Sequence, residues 1–164
     1  MIYAKYVLDE SAMLEAWKWH WRSQGMRRWA MPAIGLFMLF SYGISWVLGI
    51  GTFDQVGLVF LGIALLFVPE FNKIQFRNLI RKMPMYQKEV LFALDQEKLK
   101  TEIGGNMSEN KLSSYFLVRI TSKGILVYTQ KNIFSWIPRS GFASNEDFKQ
   151  AVSIFKLNAK WKES

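Results

Sequence analysis

The chain of 164 residues has no cysteine, one histidine and four prolines. The lack of cysteine excludes a disulfide framework and any thiolate metal site. With His20 alone, no multi-histidine metal centre forms, and a His-dependent triad would rest on that single ring. Gly104-Gly105 lacks the length and the Lys-Ser/Thr ending of a phosphate-binding loop. No pair of carboxylates is spaced for acid–base work. Acidic residues are scarce, 13 against 21 Lys and Arg, which leaves a formal charge of +8. At 51% hydrophobic the chain is not a disordered tail, and its length suits one domain or a small domain with an appendage.

Charge is scarcest in the middle. Residues 1–28 carry five Lys/Arg and three Asp/Glu, residues 29–69 carry only Asp54, and residues 70–164 carry sixteen and nine. Trp29–Gly51 is uncharged for 23 residues; as a helix it would be about 34 Å long, enough for a ~30 Å hydrocarbon core. A signal peptide would have a shorter apolar stretch placed nearer the start. Gln55–Pro69 adds fifteen uncharged residues, about 22 Å as a helix, and is read as a short second span with polar ends at the interface. The competing readings are a buried core helix or a re-entrant segment.

Lys18, Arg22, Arg27 and Arg28 precede this pair and Lys73, Arg77, Arg81 and Lys82 follow it, whereas the intervening loop holds only Asp54. The positive-inside rule then puts both termini in the cytoplasm of a bacterial inner-membrane, multi-pass protein. Ser41, Ser45 and Gly49 on the first span, with Gly57, Gly62 and Ala64 on the second, are small residues suited to packing the hairpin on itself; a homo-oligomer is the other use of such a stripe. Residues 70–83 form an amphipathic helix stopped by Pro84, with Lys73, Arg77 and Arg81 on one stripe. Together with Arg27 and Arg28 these are the candidate lipid-facing cations.

Ahead of the spans, residues 1–8 read as a strand and residues 9–28 as a helix started by Asp9-Glu10-Ser11. Trp17, Trp19, Trp21 and Trp29 among basic residues suit the headgroup zone. Aromatic–basic mixing also marks nucleic-acid binders, but this cluster abuts a span, so no nucleic-acid partner is expected. His20 is read as an interfacial or satisfied side chain.

From Gln87 the period becomes alternating. Strands are expected at 90–94, 99–103, 115–121, 125–129 and 133–137, with Gly104-Gly105-Asn106 as a chain break. A helix then opens at Ser144, with Phe148, Ala151, Val152, Phe155 and Ala159 on one face. The expected architecture is an α+β membrane protein: residues 1–28 as strand and interfacial helix, 29–83 as a transmembrane helical hairpin, and 84–164 as a small antiparallel β-domain with its last helix covering the sheet. The strand at 1–8 is expected to pair with that sheet.

The strand ILVYTQ, the turn QKN, Ile137-Pro138-Arg139, Phe142 and the helix start Ser144-Asn145-Glu146-Asp147 resemble the YcxB-like family of small bacterial membrane proteins. Tyr115 stands where that family commonly has Trp, and the N-terminal parts match in layout only. The resemblance implies a cytoplasmic β-domain of a pleckstrin-homology-like kind and supplies no catalytic residues. Trp136, Arg139 and Phe142 are the candidate partner-binding surface. The functional expectation is a non-enzymatic inner-membrane protein, without cofactor, whose β-domain recognises a protein partner or the lipid bilayer. The alternative is a membrane immunity or antitoxin protein neutralising a membrane-acting toxin. A membrane enzyme using His20 or Asp54 is the least supported reading.

Overall fold

A computed structural model describes residues 1–50, 56–131 and 133–163, apart from the side chain of Arg27. The loop expected at 51–55, with Asp54, lies outside the described residues. The chain forms two compact units, one of Met1–Ser23 with Ile80–Ser164 and one of Gln24–Leu79.

The first unit is α+β. Its first sheet has the order β1 (Ile2–Val7), β2 (Glu89–Leu94), β3 (Lys98–Ile103), β4 (Asn106–Lys111), antiparallel throughout. The second has the order β7 (Ile133–Pro138), β6 (Gly124–Gln130), β5 (Leu117–Ile120), β8 (Trp161–Glu163), with β8 parallel to β5 and the other pairs antiparallel. Alternation along the strands turns Ile2, Ala4, Val90, Phe92, Leu94 and Leu99 of one sheet, and Val118, Ile120, Ile125, Val127 and Ile137 of the other, into a shared core. Helix α5 (Asn145–Asn158) adds Phe148, Ala151 and Phe155 to that core. Its start is the expected one: Ser144 is extended and its Oγ accepts the Asp147 N–H at 3.0 Å.

Four local readings are revised. Gly104 and Gly105 both have positive φ, 55° and 85°, so they make a two-residue hairpin turn, and the residues after it form β4. The strand expected at 115–121 is shorter, β5 beginning at Leu117, and Phe116 before it is exposed. Helix α1 (Glu10–Arg22) ends six residues before Arg28, with Gly25 at φ 59° leading into a single 3₁₀ stretch, Gly25–Trp29. Nor is α1 chiefly an interfacial helix. Ala12, Ala16 and Trp19 pack on Leu117, Leu126, Tyr128, Phe134 and Trp136, so α1 covers the outer face of the second sheet.

In the second unit, α2 (Ala30–Val47) is the one described helix that alone is long and apolar enough to cross a membrane. Helix α3 (Val56–Leu66) has eleven residues and reaches that length only together with α4 (Val68–Arg81), from which it is bent by 53°. Pro69 accounts for the break, since it has no N–H for the Leu65 carbonyl four residues earlier. Around the bend Phe67 N–H bonds instead to Ala64 O at 3.1 Å. A Cβ on Gly35 would lie 2.6 Å from Gly62 O and 2.9 Å from Leu65 Cβ, and one on Gly62 would lie 3.0 Å from Leu39 Cγ. Stepping forward from Gly35 to Leu39 on α2 therefore steps back from Leu65 to Gly62 on α3, so the two helices are antiparallel. Gly62 belongs to the expected small-residue set. Gly49 and Gly57 do not contribute, each having open space beside it.

The outer face of the second sheet, the one that α1 covers, imposes a steric requirement at Gly124. A Cβ there would lie 2.5 Å from Ile137 O and 2.6 Å from Trp136 Cη2, neither of which can yield. Gly124→Ala is expected to lower stability by about 2 kcal/mol through overpacking. Thermal unfolding of the detergent-solubilised chain checks this, and an unchanged midpoint contradicts it.

Candidate functional site

The residues that resemble a family signature build a corner rather than an open surface. Pro138 ends β7 and directs the chain into a turn over residues 139–141. The Arg139 N–H donates to Lys123 O at 2.8 Å and its Nη1 to Ser122 O at 3.3 Å, while Nη2 donates to Asn145 Oδ1. The guanidinium also lies 5.2 Å from the centre of the Phe148 ring, and Phe142 meets Phe148 edge-on at 5.4 Å. Arg139 thus ties the β5–β6 turn to the start of α5. Phe142 is half-buried against the main core and pairs with Ala4, closing the outer edge of β1. A Cβ on Gly141 would sit 3.0 Å from Lys5 O, so the turn lies directly on β1.

Trp136 corrects the expectation of a partner-binding trio. It is 1% exposed and packs between Gly124 and the α1 face, so it presents no surface. Its indole Nε1 is buried without a hydrogen-bond partner, which costs stability and is unlike the paired indoles of most interiors. Of the three residues only Arg139 is exposed, and its backbone N–H, Nη1 and Nη2 are engaged within the fold.

The candidate lipid-facing cations separate in the same way. Arg81 Nε and Nη2 both donate to Glu10 Oε2, at 3.0 and 2.7 Å, so this side chain links the end of α4 to α1. Glu10 holds the guanidinium pKa above its usual value. Lys73 lies 3.7 Å from Glu70 on its own helix, and the guanidinium of Arg28 sits 5.5 Å from the Trp29 ring centre. Arg77 is half-buried on α4, and the Arg27 side chain lies outside the described part of the structure.

His20 is a satisfied side chain. Its Nδ1 is 2.9 Å from the Tyr128 hydroxyl and its ring stacks on Phe134 at 4.8 Å. Burial, reinforced by the Arg119 cation, holds the imidazole pKa below its usual value. On another face of α1, Trp17 and Trp21 stack at 5.5 Å. Trp19, grouped with these two in the sequence as a headgroup-zone residue, instead faces the second sheet.

The grooves on the first unit are open and shallow. One of about 350 Å³ is lined by Asp95, Gln96, Glu97, Lys98, Lys100 and Glu109, and another of about 210 Å³ lies between Met85 and the β3–β4 hairpin. The former is internally paired, Glu109 accepting from Lys98 at 2.6 Å and lying 3.2 Å from Lys100, which lowers its carboxyl pKa. Among the described residues no three His, Asp or Glu side chains converge as metal ligands. Comparison with protein-family models, with curated proteins and with solved structures finds no match to this chain.

Because the folded state holds His20 below the ordinary histidine pKa of about 6.5, the unfolded chain takes up its proton first as pH falls. Stability attributable to this residue is full above that value and declines below it until the folded pKa is reached. His20→Gln is expected to flatten the acid limb of the unfolding midpoint plotted against pH. An acid limb identical to that of the unmodified chain contradicts this.

Proposed function

We propose that this is a membrane-anchored recognition protein without catalytic activity of its own, whose α+β unit stays on one side of a bilayer that Gln24–Leu79 enters and leaves. The observation that carries this is the β1–β2 ladder. Val7 pairs with Glu89 and Ile2 with Leu94, so the residues before and after the apolar segment belong to one folded unit. A segment held at both ends by a unit on one side of a membrane crosses it an even number of times. An odd number of crossings does not fit the ladder, and a segment lying wholly outside the membrane would leave the apolar surface of α2 in water. Phe37, Phe40 and Val47 are 70%, 67% and 87% exposed, as expected for side chains whose partner is lipid rather than protein.

Two crossings fit both the ladder and the exposed apolar surface. Helix α2 makes one, at about 27 Å. Helix α3 with the beginning of α4 makes the return, and the bend at Phe67 turns the rest of α4 toward the interface. There its exposed Phe71 and Ile74 meet acyl chains and Lys73 lies at headgroup depth. The excess of Lys and Arg outside residues 29–69 supports a bacterial inner membrane with both termini cytoplasmic. Membership of the YcxB-like family belongs to the same reading. It rests on the sequence resemblance at Ile137-Pro138-Arg139, Phe142 and the helix start from Ser144. No arrangement of the described side chains favours an immunity role over recognition.

Membrane extraction tests the anchoring. The full chain is expected to stay in the membrane pellet after an alkaline carbonate wash. A variant with a Gly/Ser linker in place of residues 24–79 is expected in the supernatant, with the circular dichroism of an α+β protein. Release of the full chain by carbonate contradicts the anchor, and an unfolded variant contradicts the independence of the first unit.

A further inference from the structure

We propose that the outer edge of β5 is a docking site for an extended acidic–aromatic segment of a protein partner, and that β8 is a weak resident occupant of it. The edge already accepts a strand: Val118, Arg119 and Ile120 pair in parallel with Trp161, Lys162 and Glu163, and the Val118 N–H also bonds to Lys160 O at 2.7 Å. The resident is lightly held. All three β8 side chains are exposed, and α5 supplies one anchor, Lys156, whose Nζ is 2.7 Å from Glu163 Oε1 and 4.5 Å from the Trp161 ring centre. Exposed pairs of this kind contribute little, and short strands with exposed side chains are the first to open.

The charges at this edge say what fits better. Residues in register on neighbouring strands project to the same face, so Lys162 stands beside Arg119, like charge beside like. On the opposite face Glu163 answers Lys156. The edge therefore has a cation near each face, and β8 sets an acidic residue beside one of them and a lysine beside the other. A segment reading aromatic–acidic–acidic would keep the Trp161 and Glu163 interactions and replace the repulsion at Lys162 with attraction to Arg119. Main-chain bonds would supply affinity and the two flanking cations specificity, as in other strand-addition complexes. The surplus of basic residues over the chain favours approach of such a segment.

This deepens the recognition reading by naming its surface, and it is tested on the detergent-solubilised full chain with two fluorescent hexapeptides. One, Ala-Lys-Trp-Lys-Glu-Ser, copies residues 159–164; the other, Ala-Lys-Trp-Glu-Glu-Ser, carries the acidic replacement. The acidic peptide is expected to bind about five-fold or more tightly than the copy and to slow hydrogen exchange at the amides of residues 117–120. In the chain itself, Lys162→Glu is expected to slow exchange at the same amides without any peptide and to weaken binding of the acidic peptide. Equal binding of the two peptides, no binding, or binding that leaves exchange at 117–120 unchanged overturns the proposal. The last outcome would retain recognition while moving it to another surface, and none of the three bears on whether the chain is anchored in a membrane.

Discussion

Backbone hydrogen bonds between Ile2–Val7 and Glu89–Leu94 join two stretches separated by the entire apolar segment. Everything else in the architecture accommodates that pairing. The ladder continues past its strands, with Leu8 N–H on Lys88 O and Gln87 N–H on Leu8 O, both at 2.9 Å. Gln87 adopts φ 61°, a left-handed conformation unusual for a residue with a side chain, to complete this closure. Arg81 and Glu10, outside those strands, add an ion pair across the same closure, between the end of α4 and α1. Closing so long a loop costs conformational entropy that grows only slowly with length. The antiparallel packing of α2 on α3 at Gly35 and Gly62 lowers that cost further by folding the loop on itself.

The β unit is defined as much by how its edges are protected as by its core. The outer edge of β1 is covered where Phe142 pairs with Ala4. Strand β4 is fully exposed, but its residues are polar or charged except for Met107, a pattern that discourages adventitious pairing. The edge of β5 is protected only by three residues held through one lysine. The corner at Arg139, by contrast, is heavily cross-braced: one guanidinium serves a turn, a helix start and an aromatic face. That contrast is why the proposed docking edge lies away from Trp136, Arg139 and Phe142 and beside a strand too short to stand out in the sequence.

Local physics was legible where one residue decides one feature. The charge-free middle, the alternation in β2, β3, β5 and β6, and the cap at Ser144 follow from side-chain type and spacing. Features decided by distant partners were not. Strand β4 reads NMSENK, without apolar alternation, and is a strand because Gly104-Gly105 turns it onto β3. Trp136 was read as part of a partner-binding surface, and it is buried because Gly124 and the Ala-lined face of α1 leave room for it. The tryptophans of α1 suggested a headgroup environment, whereas the small residues between them, Ala12 and Ala16, mark the packing face. Arg81 belongs to the basic stripe by spacing alone and finds Glu10 only in the fold.

The even-crossing argument is most directly tested with single cysteines, since the chain has none of its own. Lys5→Cys on β1 and Glu146→Cys on α5 replace exposed side chains of the first unit, and Asp54→Cys lies between the two apolar runs. Treated with a membrane-impermeant maleimide in intact bacterial spheroplasts, Asp54→Cys should be labelled, and the other two should be labelled only after permeabilisation. Labelling of Lys5→Cys and Glu146→Cys from opposite sides, or protection of all three, would contradict the account.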